Sequence, residues 1–158
     1  MNIRPASGHD VSAAISLGSQ MHRESAYAFL PFDCEKVRRF ILSHIEHPES
    51  HCALVAEDQG AVIGMLGGYV SDYFFCDEKV ACDTVFFVHQ AHRSTAAAAG
   101  LVRAFREWAE ARGVREICLA ISSGTRAERT GRFYELLGFR CVGGVYKQRL
   151  GESPAGGA

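Results

Sequence analysis

The stretch that decides the fold is Val85-Phe86-Phe87-Val88-His89-Gln90-Ala91-His92-Arg93-Ser94-Thr95-Ala96-Ala97-Ala98-Ala99-Gly100-Leu101-Val102. It starts as an apolar strand, turns through small residues and enters an alanine-rich helix. Backbone N–H groups at a helix start have no partner within the helix, and the helix dipole is positive there. We therefore expect a phosphate or pyrophosphate group to bind at this turn. The alternative is an alanine-rich helix start that binds nothing, as in many α/β proteins.

The segments around this stretch predict a mixed α/β domain. Alternating apolar residues with glycine-containing turns indicate strands, and apolar residues at helical spacing indicate helices. A strand–helix–strand–helix order after residue 80 predicts right-handed crossovers and parallel pairing at the centre, whereas hairpins predict antiparallel pairs toward the edges. We expect a central twisted mixed sheet of about seven strands flanked by four helices. The predicted strands are 2–6, 51–57, 61–70, 80–88, 115–121, 139–142 and 145–150, and the helices begin after Asp10, after Asp33, at 95 or 96 and at 126.

Composition is that of one ordinary globular domain: 158 residues, 47% hydrophobic and 22% charged. We expect a single domain over residues 1–150 and a disordered C-terminal tail over residues 151–158. A formal net charge of -1 offers no basic surface for nucleic acid. No apolar run resembles a signal peptide or reaches membrane-spanning length, so a cytoplasmic location without membrane binding is expected.

The cysteines and histidines show no metal-site spacing. The six cysteines contain no C-x-x-C pair, and most lie in apolar runs, so we expect them to be reduced and structural. The histidines form no i, i+4 pair with a supporting carboxylate. We therefore expect no metal.

The chain contains the segment Arg93-Ser94-Thr95-Ala96-Ala97-Ala98 after the long strand and the segment Phe133-Tyr134-Glu135-Leu136-Leu137-Gly138-Phe139 at the end of the last helix. Both resemble motifs of the GNAT superfamily of acyl-CoA-dependent N-acyltransferases. The first corresponds to the family's Arg or Gln, two residues, Gly, one residue, then Gly or Ala. The second corresponds to the family's aromatic-Tyr-x-x-Leu-Gly-Phe ending of its last helix. The family's order of elements matches the chain from Asn2 to Leu150. Ala96 replaces the first glycine, and Ala127 stands where the family often has Asn.

The resemblance implies acetyl-CoA as cosubstrate. Small residues let backbone amides approach its pyrophosphate closely, and alanine serves there if its φ is helical. The tyrosine of the second motif implies Tyr134 as the general acid that protonates the departing thiolate. Around Phe87 and Val88, N–H groups would face the pantetheine and the acetyl carbonyl. The phosphates would be held by Arg93, Ser94, Thr95, Ala96, Ala97 and Ala98.

The general base is open. Asp83, on the long strand where some relatives place a glutamate, is the first candidate, although strand alternation could turn it to solvent. Glu24, Asp72 and Glu78 are rivals, and ordered water alone is a further alternative.

The acceptor is expected to be a small-molecule amine or a protein or peptide amine. Six aromatic residues would suit an apolar acceptor, but core packing or a homodimer interface explains them equally well. They are Tyr27, Phe29, Phe32, Tyr73, Phe74 and Phe75.

The function predicted from the resemblance is N-acetyl transfer from acetyl-CoA. Direct attack by the amine in a ternary complex is favoured, because no Cys-His spacing indicates a covalent intermediate. A non-catalytic acyl-CoA-binding regulatory module is the alternative, supported by Ala96 and the missing Asn.

Overall fold

A five-stranded sheet with strand order β1-β2-β3-β4-β5 organises the computed structural model, which describes residues 1–93 and 96–150. Neighbouring strands are antiparallel except β4 and β5, which are parallel. The strands are β1 (Asn2–Pro5), β2 (His51–Asp58), β3 (Ala61–Asp72), β4 (Lys79–Val88) and β5 (Glu116–Cys118).

Four helices cover the two faces of the sheet. They are α1 (Val11–Glu24), α2 (Cys34–Glu46), α3 (Ala97–Glu110) and α4 (Ala127–Leu136). On one face α1 packs on β3 and β4 and α2 packs on β2, whereas α3 packs on the other face. Phe133 of α4 joins the core around Leu101 and Phe105 of α3, both of which are fully buried. The mixed α/β class and the four helices are as predicted.

Both α1 and α2 start at the predicted N-cap residues, Asp10 and Asp33. The two carboxylates, however, bind different partners. Asp33 accepts hydrogen bonds from the N–H groups of Glu35 (2.9 Å) and Lys36 (3.0 Å), as an N-cap should. The Asp10 carboxylate instead accepts two bonds from the Arg4 guanidinium, both at 2.8 Å. It therefore fixes α1 to β1.

The hairpin between β2 and β3 forms as predicted. Its two turn residues, Gln59 and Gly60, have φ of 49° and 80°. Positive φ at both central positions is the type I′ geometry that matches the twist of the two strands.

A β-bulge interrupts the pairing of β3 with β4. Gly67 pairs with Val85 and Gly68 pairs with Asp83, so Thr84 is an extra residue in β4. Because of that extra residue, Asp83 and the Phe86 ring, three positions apart, both reach the cavity lined by α4. At Gly68, a Cβ would lie 2.6 Å from a Phe105 ring carbon, so only glycine fits the close approach.

The prediction of about seven strands is wrong, since the described residues contain five. Residues 139–150 join no ladder, and β5 stops at Cys118 instead of continuing to residue 121. An alternating apolar pattern shows that a segment suits pairing, but a strand needs a neighbour with free backbone groups, and three-residue β5 offers few. The predicted tail, 151–158, lies outside the described residues.

Within the described part of the chain, no helix has the length and apolar character needed to cross a membrane.

Candidate active site

A cavity lies where β4 and β5 separate. The ladder between the two strands ends at the pair Cys82 and Cys118, yet β4 continues to Val88. A cavity of about 470 Å³ lies beyond that pair, between β4, the loop after β5 and α4. This volume is within the range of small-molecule sites.

Most of the predicted site residues that the structure describes line this cavity. They are Asp83, Phe87, Val88, Arg93, Ala98 and Tyr134. Ala96 and Ala97 do not line it, because Ala97 is fully buried in the core and Ala96 is exposed before α3. Ser94 and Thr95 lie outside the described residues. Ala96 has φ of -70° and ψ of 0°, so its methyl group requires no left-handed backbone.

Arg93 holds one end of the cavity together. Its Nε donates to the Val88 carbonyl (2.9 Å), and its guanidinium lies 5.0 Å from the centre of the Phe87 ring. A third contact is the ion pair of its Nη2 with Glu24 of α1 (2.5 Å). The guanidinium therefore lies between the end of β4 and the end of α1.

Asp83 lies where the two strands begin to part. Its Oδ1 accepts a hydrogen bond from the Ala120 N–H (2.8 Å), which replaces the ladder bond that would have come next. Burial raises the pKa of the Asp83 carboxyl to about 6, against the opposing effect of the Ala120 N–H and of the residue's own N–H. A carboxyl that titrates near neutrality can take up a proton and release it again at physiological pH.

Tyr134 is placed by the end of α4. The Phe139 N–H donates to the Tyr134 carbonyl (3.0 Å) and the Gly138 N–H donates to the Glu135 carbonyl (3.0 Å), while Gly138 has φ of 88°. These are the bonds of a Schellman motif, whose accompanying apolar contact is the packing of Phe139 on the Tyr134 ring. The Leu-Gly-Phe sequence thus ends the helix and fixes the ring.

The Tyr134 phenol is protonated at neutral pH. Tyr134 is 6% exposed, and the centre of its ring lies 6.3 Å from the centre of the stacked Phe86 ring. Burial raises the pKa of the Tyr134 hydroxyl well above its ordinary value, and the nearby Asp83 charge raises it further. A buried, neutral phenol still carries its proton and can donate it.

A bridge of hydrogen bonds also borders the cavity and starts at the same residue, Glu24, that pairs with Arg93. It joins residues 24–27, at the end of α1, to residues 122–125, in the loop before α4. The Ala26 N–H donates to the Ser123 carbonyl (2.8 Å), the Thr125 hydroxyl donates to the Glu24 carbonyl (2.6 Å), and the Tyr27 hydroxyl donates to the Ser122 carbonyl (3.2 Å). The cleft therefore has a roof made from two segments about a hundred residues apart in sequence.

Sequence reasoning missed most of the bridge and of the α4 wall. The residues not predicted include Met21, Ser122, Thr125 and Thr130. One signal was available, since ligands in α/β sheets bind beyond the carboxyl ends of parallel strands, and residues 120–125 follow β5. Arg126 also has φ of 48°, a rare backbone for a residue with a side chain, at the first turn of the wall.

The rival carboxylates separate clearly. Glu24 lines the cavity, whereas Asp72 and Glu78 do not. Asp72 is the last residue of β3 and pairs with Lys79, and Glu78 lies 3.6 Å from Arg115. Only Glu24 of the three remains a rival to Asp83.

The aromatic residues do not act as one group. Tyr27 lines the cavity, and Phe32 packs against α1 near Gly18. Phe74 and Phe75 are 99% and 68% exposed, so core packing does not explain those two.

No group of three or more His, Cys, Asp or Glu side chains within residues 1–93 and 96–150 is arranged to hold a metal ion.

A family model and several solved structures match the chain. The model of the acetyltransferase (GNAT) family matches residues 19–139. No curated protein sequence matches the chain. Solved structures with the same fold include three enzymes that are 15–18% identical to the chain.

The first of these is an aminoglycoside 6'-N-acetyltransferase from Acinetobacter haemolyticus, at 18% identity and a TM-score of 0.73, covering 97% of this chain and 100% of that one. A glucosamine-6-phosphate N-acetyltransferase from Arabidopsis thaliana has 15% identity and a TM-score of 0.71, covering 94% and 97%. A ribosomal-protein-alanine N-acetyltransferase from Brucella melitensis biovar Abortus 2308 has 18% identity and a TM-score of 0.71, covering 95% and 100%. At these identities the likeness concerns the fold.

Proposed function

Because the chain belongs to the acetyltransferase (GNAT) family, we propose that it is an N-acetyltransferase that moves an acetyl group from acetyl-CoA to a primary amine. The observation that carries this proposal is the meeting of three groups in one cavity. They are the cation of Arg93 at the end of β4, the carboxyl of Asp83 that titrates near neutrality, and the protonated, buried phenol of Tyr134.

The residues of the cavity suit coenzyme A. Its pyrophosphate is an anion, which the positive end of the α3 dipole favours and which the Arg93 guanidinium can bind if it exchanges its bond with Glu24 for the phosphate. Its pantetheine arm is slender and carries amide groups, and it fits a slot along Phe87 and Val88, where β4 has no partner strand on its β5 side. When bound, acetyl-CoA supplies the activated acyl group as a thioester.

Asp83 acts as the general base in this proposal. An ammonium group cannot attack a carbonyl carbon, so the acceptor first releases one proton to solvent and reacts as the neutral amine, whose nitrogen loses a second proton as it attacks. Asp83 takes that proton, directly or through a water molecule, while the Ala120 N–H holds its carboxylate in place. Glu24 is the rival for this role, since it also lines the cavity, and its carboxylate is paired with Arg93 in this structure.

Tyr134 acts as the general acid. The nitrogen attacks the carbonyl carbon, the carbon–sulfur bond breaks, and the departing sulfur takes the phenolic proton of Tyr134. The proton held by Asp83 then returns to Tyr134 through solvent, which restores both groups. The amine attacks directly, without an acyl-enzyme intermediate.

The acceptor is proposed only as a class, a small-molecule amine or an exposed protein or peptide amine. The fold neighbours named above act on an aminoglycoside, on glucosamine-6-phosphate and on a ribosomal protein. Acceptors of both kinds are therefore compatible with this architecture.

The test is acetyl transfer by the purified chain to a panel of aminoglycosides, amino sugars, polyamines and peptides. Acetylated product and free coenzyme A should be measured by mass, because the six cysteines of the chain would react with a thiol reagent. We expect product from at least one acceptor class, dependent on acetyl-CoA. Calorimetric binding of acetyl-CoA with no product from any amine would favour a non-catalytic binding module, and no binding would refute both functions.

A further inference from the structure

Two cysteines lie side by side where β4 and β5 part. Cys82 and Cys118 are register partners in the parallel ladder and form its last pair. Residues paired in register point to the same side of a sheet. The preceding partners, Ala81 and Ile117, both pack in the core on the α3 side. The two thiols therefore share the opposite face.

The backbone spacing of this pair suits a disulfide. Neighbouring strands lie about 4.8 Å apart, and the Cα atoms of a disulfide are about 4.4–6.8 Å apart. A disulfide draws its two Cβ atoms to about 3.8 Å, closer than the spacing of neighbouring strands. The bond would thus form after a local tightening of the ladder, and the resulting strain would make it easy to reduce.

The two sulfurs differ in access. Cys118 is exposed and Cys82 is partly buried. Burial raises the pKa of the Cys82 thiol, and the adjacent Cys118 raises it further. Cys118 is therefore the thiol that meets an oxidant first, with Cys82 beside it as the resolving thiol.

We propose that Cys82 and Cys118 are an oxidation site that closes to a reversible intramolecular disulfide when the protein meets a peroxide. The Cys118 thiolate attacks one peroxide oxygen, which gives a sulfenic acid and releases water after protonation. The Cys82 thiolate then attacks the Cys118 sulfur, forms the S–S bond and expels hydroxide, which leaves as water. The thiols lose two electrons in total, and the peroxide gains them.

The position of the bond links it to the cavity. Cys82 precedes Asp83, and Cys118 stands two residues before Ala120, whose N–H binds the Asp83 carboxylate. A bond that draws Cys82 and Cys118 together would also move the point at which β4 and β5 separate, where the cavity begins. We expect the oxidised protein to lose most of its acetyl transfer, a consequence that rests on the proposed function, whereas the disulfide itself does not.

The bond can be read by mass spectrometry. After brief treatment of the whole chain with hydrogen peroxide and alkylation of free thiols, trypsin releases residues 80–93 and residues 116–126, each of which contains a single cysteine. We expect a linked pair of these peptides that disappears after reduction with dithiothreitol. Non-reducing gel electrophoresis should show a monomer, since the bond lies within one chain.

Two variants decide the assignment. Cys118→Ser should abolish the linked pair and make acetyl transfer resistant to peroxide, whereas Cys141→Ser, which removes another exposed cysteine, should change neither. The proposal is overturned if Cys118 is found only as sulfinic or sulfonic acid, if it links to another cysteine, or if the linked species is a dimer. A disulfide that forms with full retention of activity would refute the coupling to the cleft.

Discussion

Two ionisable side chains, the half-buried Asp83 and the buried Tyr134, line the cavity, and desolvation acts on both. Burial disfavours the charged form, so it raises the pKa of Asp83 to about 6 and keeps Tyr134 protonated. The effect makes one group a usable base near neutrality and leaves the other a proton donor. Their roles can therefore be separated by replacing each one alone.

Replacing Tyr134 by Phe should lower turnover by about 10²-fold, the usual effect of losing a general acid. The KM for acetyl-CoA should change little, because the ring and its packing on Phe86 and Phe139 remain. Steady-state kinetics on the variant provide the measurement. Tyr146→Phe is the matched control, since that residue is 98% exposed and lies outside the cavity. Unchanged turnover in Tyr134→Phe would remove the general-acid assignment.

Replacing Asp83 by Asn should remove one limb of the pH profile. In the wild-type protein, kcat/KM should rise as the carboxyl loses its proton around pH 6 and then level off. The ratio of wild-type to Asp83→Asn activity should show this limb alone, because the titration of the acceptor amine is common to both proteins. If Glu24→Gln rather than Asp83→Asn removes the limb, Glu24 is the base.

The same substitution should raise stability above neutrality. The pKa of Asp83 is about 6 in the folded chain and about 3.9 in the unfolded chain, so folding favours the protonated carboxyl. That stabilisation is complete below the unfolded value and is lost as the pH rises through about 6. The melting temperature of Asp83→Asn should therefore gain on that of the wild type between roughly pH 4 and pH 7.5. A constant difference across this range would show that Asp83 titrates normally.

At the scale of elements, the bulge opposite Gly67 and Gly68 connects core packing to the site. Gly68→Ala would set a methyl group against the Phe105 ring and, at 2.7 Å, the Cys82 carbonyl. We expect a loss of about 1–3 kcal/mol in the free energy of unfolding, as for other overpacked cores, measured by denaturant titration. Gly143→Ala, where no atom lies within 4 Å of the added Cβ, should change it by less than about 0.5 kcal/mol. Equal effects of the two substitutions would mean that the bulge tolerates a side chain.

Elements with their own start and stop residues could be predicted from sequence. Asp33 caps α2, Gly138 ends α4, and Gln59 with Gly60 turns the hairpin, each through bonds or φ values set within a few residues. Pairing was predictable in part: the β2–β3 hairpin forms as predicted, but the parallel pair β4–β5 lies at the edge of the sheet and not at its centre. Residues 139–150 have the alternation of strands, but their local pattern contains no information about which edge is free to receive them.

The candidate site likewise contains residues that local motifs predict and residues that they do not. Tyr134 and Arg93 belong to local motifs, and both reach the cavity. Glu24 contacts Arg93 across 69 residues of sequence, and Thr125 contacts Glu24 across 101. Such contacts arise only when the sheet brings α1 beside the loop before α4, so no local signal reports them.

At the scale of the whole molecule, ligand binding should be visible as stability. A ligand that binds only the folded chain stabilises it by about 2.7 kcal/mol at a hundred times its Kd. For a domain of this size that corresponds to roughly 5–11 °C in melting temperature, which thermal unfolding with coenzyme A can measure. Pantetheine, which lacks the phosphates, should give a smaller shift at equal concentration if Arg93 and the start of α3 hold the pyrophosphate. No shift with coenzyme A at millimolar concentration would argue against a coenzyme A site.

The separation of β4 from β5 has a consequence for how the protein avoids aggregation. Beyond Cys82, the β5 side of β4 is a sheet edge with unpaired backbone groups, and such edges invite the strands of other proteins to add on and aggregate. Here the bridge between residues 24–27 and 122–125 and the side chains of α4 line the cavity beside this edge. An incoming strand would have to displace them before it could pair with β4. The walls of the cavity thus oppose aggregation through an open sheet edge.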